Sequence, residues 1–167
     1  LKEAIDGADM IIGGVSSFGV DWFGEKVLPE VDEKTPILTV TKGLLDDENG
    51  NLIPYPYVWR DMLAKKGLKR NLNAVGGPCT SYELVAHDQT EVYFCGEDPE
   101  TLHFIKKTMA TDYYHISLSN DVMGVESAVA LKNGYALGIT LTVGVNKRNF
   151  GENSELHYNS QAGAFGQ

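Results

Sequence analysis

Cysteine is scarce in this chain: Cys79 and Cys95 are the only two in 167 residues, and neither has a second ligand at metal-binding spacing. Both lie in or beside expected strands and read as reduced, structural thiols of a cytoplasmic protein. The four histidines (His87, His103, His115 and His157) are scattered, so no metal site is expected. Positive charge is short as well, with 14 Lys and Arg against 23 Asp and Glu and a formal charge of -9. That balance argues against non-specific binding to nucleic acid or anionic lipid. It also means that an anionic ligand would need a locally basic pocket. No apolar run is read as long enough for a membrane span, because glycines and threonines interrupt residues 134–145. A secretory signal is missing too, since Leu1-Lys2-Glu3-Ala4 is already a fragment of amphipathic helix. With no initiating Met and no cap after Phe165-Gly166-Gln167, the chain is expected to be an internal piece of a longer protein.

What is present suits one ordinary α/β unit running into a helical segment. Hydrophobic residues make up 43% and charged residues 22%, a globular balance. Met10–Val15 and Pro36–Thr41 are short continuous apolar runs, the pattern of parallel strands covered on both faces. A helix from Asp21 to Val31, ending near Pro29, joins them into a strand–helix–strand unit. Asp46–Asn51 reads as a solvated turn whose spacing does not fit a calcium loop. Tyr57–Lys66 is an amphipathic helix with Val58, Met62 and Leu63 inward. Strands follow at Asn71–Gly76, Thr90–Cys95 and Tyr113–Leu118. Asp98 should cap a helix with Pro99 at its first position, and Asn120-Asp121 should cap the last and longest helix.

Three turns follow strands and so occupy the edge where open α/β sheets bind ligands. They are Ser16–Gly19, Lys42-Gly43 and the glycine-rich Gly76–Ser81. Exposed backbone N–H groups in such turns favour anions. Lys42 reads either as a lysine of that cleft or as a solvated residue at the start of a loop. In the last helix Val125, Ala128, Val129, Lys132 and Ala136 share one face, which puts an ammonium on an apolar stripe. Buried there, Lys132 would have a lowered pKa and suit acid/base work; at the stripe's margin it would snorkel into water. Two lysines converging on one cleft would draw a small phosphorylated substrate. Asn133 lies about 100° round the helix, where it could donate to a substrate hydroxyl or tie down a strand. Glu126 could partner Asn133 or balance Lys132.

Several motifs together resemble NAD(P)-dependent glycerol-3-phosphate dehydrogenase. They are Ala8-Asp9 before a strand with Val15-Ser16-Ser17, then Val40-Thr41-Lys42-Gly43-Leu44, then Gly77-Pro78-Cys79-Thr80-Ser81-Tyr82-Glu83, and Gly124 through Ala130-Leu131-Lys132-Asn133. The resemblance runs through nearly the whole chain, with Asn153–Gln167 matching the glycine- and asparagine-containing stretch that follows. It implies the second half of a Rossmann-type sheet, residues 1–120, leading into the start of an all-helical substrate domain, 121–167. It further implies interconversion of sn-glycerol 3-phosphate and dihydroxyacetone phosphate with NAD or NADP, in the cytoplasm, within glycerophospholipid metabolism. Lys132 would be the proton acceptor and donor. Lys42 would touch both cofactor and substrate; Gly77, Cys79, Lys132 and Asn133 would touch substrate; Ser16, Ser17, Phe18 and Ser81 would touch cofactor.

Two departures stand out. Cys79 replaces the Ser, Thr or Asn that usually follows Gly-Pro, and Ser16 replaces a proline of the first turn. The family's Gly-x-Gly-x-x-Gly turn and its later Asp and Arg-Asn motifs are expected to lie outside this stretch, which would then be inactive alone. The alternatives are a related β-hydroxyacid or opine dehydrogenase, or a non-catalytic remnant serving as an assembly module. Glycines at 134, 138 and 144 would allow close helix packing, so a homodimer is expected.

Overall fold

The computed structural model describes residues 1–152, and the expected Asn153–Gln167 stretch lies outside them. The described chain begins with a short helix α1 (Lys2–Ile5) and a strand β1 (Ile11–Gly13). Next comes a helical stretch: α2 (Val20–Trp22), a wide π turn over Phe23–Val27 and a tight turn over Leu28–Glu30. Pro29 stands in that last turn, as the sequence indicates. Strand β2 (Ile37–Thr39) is fully buried. A hairpin of β3 (Leu44–Asp46) and β4 (Leu52–Pro54) follows, then α3 (Tyr55–Ala64) and β5 (Leu72–Gly76). The chain continues through α4 (Ser81–Val85), β6 (Thr90–Gly96), α5 (Pro99–Met109), β7 (Tyr114–Ser119) and α6 (Val122–Phe150).

One sheet has the strand order β1-β2-β5-β6-β7. Its first three strands are parallel, β6 runs antiparallel to β5, and β7 is parallel to β6. Because side chains alternate along a strand, neighbouring β2 residues feed opposite faces of the sheet. Ile37 packs with Phe23, Leu28, Trp59 and Leu63 on one side. Leu38 packs with Val92, Phe94, Leu102 and Ile105 on the other. Trp59 is the largest fully buried side chain; its indole N–H donates to the Val20 carbonyl at 2.9 Å, and its ring lies 5.1 Å from that of Phe23. The helix ends follow their residues: Asp98 accepts from the backbone N–H of Glu100 and Thr101, and Asp121 from that of Gly124 at 2.8 Å.

Three expectations change, and the solvated turn is borne out in more detail. Strand β1 lies at the sheet edge among the described residues, so Ile12 is 53% exposed instead of covered on both faces. The solvated turn at Asp46–Asn51 is the tip of the β3–β4 hairpin, with Asp47 accepting from the backbone N–H of Asn49 and Asn51. Trp59 and Tyr55, outside the expected inward set, anchor α3 more deeply than Val58 or Met62 does. Helix α6 runs unbroken for 29 residues through its glycines, with a mean hydropathy of 1.3 in its most apolar window. By length and composition alone it could cross a membrane, which the reading of residues 134–145 as interrupted did not anticipate.

The chain forms two compact units, the first from Leu1 to Val129 and the second beginning at Ala130. Helix α6 contributes its first two turns to the first unit. There Val122 packs with Ala74 and Cys95. At Gly76 an added Cβ would meet Val125 at 2.8 Å and Val129 at 2.6 Å, so the helix closes on the strand's backbone. From Ala130 onward the side chains of Leu131, Tyr135, Leu137 and Leu141 are exposed.

Candidate active site

The three turns singled out above lie on one rim. Strands β1, β2 and β5 are parallel neighbours, so the segments leaving their carboxyl ends emerge side by side. Threonine hydroxyls fasten the first two. Thr41 Oγ1 donates to the Val15 carbonyl at 2.7 Å, and Thr39 Oγ1 accepts from the Thr41 backbone N–H at 3.2 Å. Both threonines are buried, so the loop after β1 is tied to the loop after β2 just before Ser16. Ser16 and Ser17 are exposed, and the Phe18 ring is 99% exposed.

Lys42 fastens the second turn to the third. Its ammonium donates to the Gly77 carbonyl at 3.3 Å. Gly77 has φ +151°, and a Cβ there would meet Val92 Cγ1 at 2.8 Å, so only glycine fits without strain. Beneath this tie lies a cavity of about 430 Å³ lined by Lys42, Gly77 and Cys79, with Val40, Val75, Val92, Met109 and Tyr114 among its apolar wall residues. The antiparallel β6 supplies Val92 from its amino end, where β7 also begins. Burial raises the Cys79 thiol above its ordinary value; Lys42 opposes the shift and Glu83 adds to it. Thus Cys79 enters the cavity as a neutral thiol. Burial likewise pushes the Tyr114 hydroxyl up to about 12, with Cys79 adding to it. The Thr80 hydroxyl donates to the Glu83 carboxylate across the first turn of α4, and Ser81 is exposed at that helix start.

The structure therefore brings Lys42, Gly77 and Cys79 to one cavity, with Ser81 on the same loop. Ser16, Ser17 and Phe18 stand on the adjoining turn of the same rim. This rim offers a ligand one lysine, a glycine turn whose backbone can be approached, and an exposed aromatic ring. Lys132 and Asn133 lie in the second unit, and both are exposed. Of the two readings of Lys132, the buried ammonium is corrected and the solvated one agrees with this exposure. The apolar stripe beyond Val129 is exposed along with it.

One residue of this region was weighed in sequence only as a partner for Asn133 or Lys132. Glu126 is 2% exposed, its Oε1 has no hydrogen-bond partner among the described residues, and burial pushes its carboxyl up to about 7. The cation that opposes this shift is Lys42. A glutamate between Val125 and Val129 on the helix face that packs on Gly76 was the signal available.

No family model matches the chain. Its sequence is 29% identical over 148 residues to the NADP(+)-dependent glycerol-3-phosphate dehydrogenase of Archaeoglobus fulgidus, covering 89% of this chain and 43% of that protein. It is 28% identical over 138 residues to the glycerol-3-phosphate dehydrogenase, NAD(P)+, of Streptococcus suis, covering 83% of this chain and 40% of that one. The chain is similar to NAD(P)-dependent glycerol-3-phosphate dehydrogenases. Its fold matches the solved structure of the Plasmodium falciparum glycerol-3-phosphate dehydrogenase at a TM-score of 0.76 and 20% identity, over 98% of this chain and 42% of that one. The chain thus spans less than half the length of the relatives it matches.

Proposed function

We propose that this chain is part of an oxidoreductase that interconverts sn-glycerol 3-phosphate and dihydroxyacetone phosphate with NAD or NADP. The observation that carries the reading is the meeting of Lys42, Gly77 and Cys79, from two separate strand ends, around one cavity at the ligand-binding edge of the sheet. Similarity to dehydrogenases of this substrate supports the substrate class. When bound, the nicotinamide cofactor supplies or accepts the hydride. In the reducing direction Lys132 Nζ gives a proton to the carbonyl oxygen of dihydroxyacetone phosphate; in the oxidising direction it takes the proton of the secondary hydroxyl. Lys42 contributes positive charge beside both ligands, and Gly77 lets the substrate approach the backbone. Cys79 offers a neutral thiol where a hydroxyl would otherwise stand, and Asn133 donates to substrate oxygen. Ser16, Ser17, Phe18 and Ser81 hold the cofactor, with the exposed Phe18 ring as a stacking surface.

This role is one for the intact protein. It divides the chain near residue 120 into a dinucleotide-binding part and the start of a substrate-binding part, and places the protein in the cytoplasm as a homodimer. The remaining phosphate- and cofactor-binding motifs would come from sequence outside this stretch, so the 167 residues alone are expected to turn over nothing. The test is NADH or NADPH oxidation by the intact protein. Dihydroxyacetone phosphate should support turnover and unphosphorylated dihydroxyacetone should not; indifference to the phosphate would overturn the substrate assignment. Lys132→Met should lower kcat far more than it raises KM, and unaltered turnover would remove Lys132 from the mechanism.

A further inference from the structure

Helix α6 places a carboxyl group where an apolar residue would be expected. Val122 packs on Ala74 and Cys95, and Val125 and Val129 close on Gly76, so the face between them is pressed against β5. Glu126 stands on these same two turns, 2% exposed, with an oxygen that no described group satisfies. A buried polar atom left unpaired costs stability, so this position is unfavourable for folding alone. Gly77, next to the Gly76 on which Val125 and Val129 close, is where the Lys42 ammonium is held.

We propose that Glu126 is a proton-linked positioning residue: with its carboxyl neutral, the Lys42 ammonium is free to engage an anionic ligand, and with its carboxyl ionised, that ammonium is held back as its counter-charge. The inference rests on the reading above that the Lys42 cavity is the ligand site. The surroundings support it. Burial raises the Glu126 carboxyl to about 7 and Lys42 draws it down, so the two groups feel each other's charge. The other titratable groups near this helix start do not compete. Cys95 on β6 is pushed up to about 12, first by burial and then by Glu126 itself, and remains a thiol. Tyr57 on α3 is raised by burial and remains a phenol. Asp121, at the start of α6, acts on Cys95 and Tyr57. Lys42 is the cation through which a charge on Glu126 reaches the cavity. By linkage, an anion that engages Lys42 must favour the protonated carboxyl, so binding takes up a proton.

Two measurements on the intact protein test this, and neither needs turnover. The first is the titration midpoint of the Glu126 carboxyl by carbon-13 NMR. Lys42→Met removes the opposing charge and should raise that midpoint; an unchanged midpoint would overturn the proposal. The second is sulfate affinity, chosen because sulfate keeps its charge between pH 6 and 8. Affinity should fall about tenfold over that range, as the protonated fraction of a carboxyl titrating at about 7 does between pH 6 and 8, and Glu126→Gln should reduce the change to under twofold. Equal pH profiles in the two proteins would overturn the proposal even if Lys42→Met moved the midpoint. Should Glu126→Gln fail to fold, the Lys42→Met midpoint still decides. Absence of turnover with dihydroxyacetone phosphate, beside a shifted midpoint and a pH-dependent sulfate affinity, would count against the substrate assignment and leave the proton linkage standing.

Discussion

Two cavities open at opposite ends of the sheet, and the larger is not the better candidate. The one at the amino ends of β2 and β5 measures about 740 Å³ and is rich in charge, with Lys34, Arg60, Lys69, Arg70, Glu97 and Asp98 on its walls. Much of that charge is already spent. Arg60 pairs with Glu97 at 3.1 Å and lies 4.2 Å over the Tyr57 ring. Arg70 donates to the carbonyls of Leu28, Pro29 and Lys69, stitching the end of a helical stretch to the start of a strand. Asp98 is occupied as a helix cap and by the Thr101 hydroxyl at 2.5 Å. The smaller cavity, about 430 Å³, has one lysine held by a single backbone carbonyl, and the buried Glu126 carboxyl that feels its charge keeps one oxygen without a hydrogen-bond partner among the described residues. Charges committed to the fold make walls; charges left under-satisfied make sites.

The sharpest way to test that contrast is through Glu126. Its folded value, about 7, lies above the ordinary 4.5, so its contribution to stability is fully present below about pH 4.5 and is lost as pH rises through about 7. At about 1.4 kcal/mol per pKa unit, the loss is on the order of 3 kcal/mol. Urea unfolding from pH 4 to 8 should show that decline, and Glu126→Gln should flatten it; an unchanged slope would mean the carboxyl is paired after all. Next in size is Lys42→Met. Losing a charged hydrogen-bond donor at a ligand costs about 1.5–3 kcal/mol, so kcat/KM for dihydroxyacetone phosphate in the intact protein should fall roughly 10- to 100-fold. Gly77→Ala forces a side chain into strained backbone against Val92 and should cost about 1–3 kcal/mol in thermal or urea unfolding. Smallest is Arg60→Met at the far cavity. Its ion pair is half exposed, so stability should change by less than about 1 kcal/mol and kcat/KM by less than twofold. A larger kinetic effect there would break the comparison.

Much of the near cavity was legible in sequence because strand ends announce themselves. Ile37 and Leu38 lie in a short apolar run, and the residues just after such a run must reach the rim, which located Lys42 and Gly77 without knowledge of the strand order. The antiparallel course of β6 was not legible, since Thr90–Cys95 carries the same apolar signal in either direction. The Arg70 stitch was hidden too, because its acceptors are backbone carbonyls more than 40 residues away and leave no mark on residue type. Lys132 shows the converse. Its apolar neighbours left burial and a solvated margin both open, because periodicity says only which face is apolar, and beyond Val129 that face is exposed along with the lysine.

Reversal of the last two strands has a practical outcome for anyone wishing to reshape this protein's selectivity. Met109 at the end of α5, Thr111 and Tyr113 in the connection that follows, and Tyr114 at the start of β7 contribute to the pocket lining, on a chain segment that carries neither the glycine turn nor its lysine. Mutational libraries confined to those four positions can alter pocket contour and polarity while the Lys42–Gly77 tether stays as it is, which separates the search for new substrates from the upkeep of the anchoring machinery.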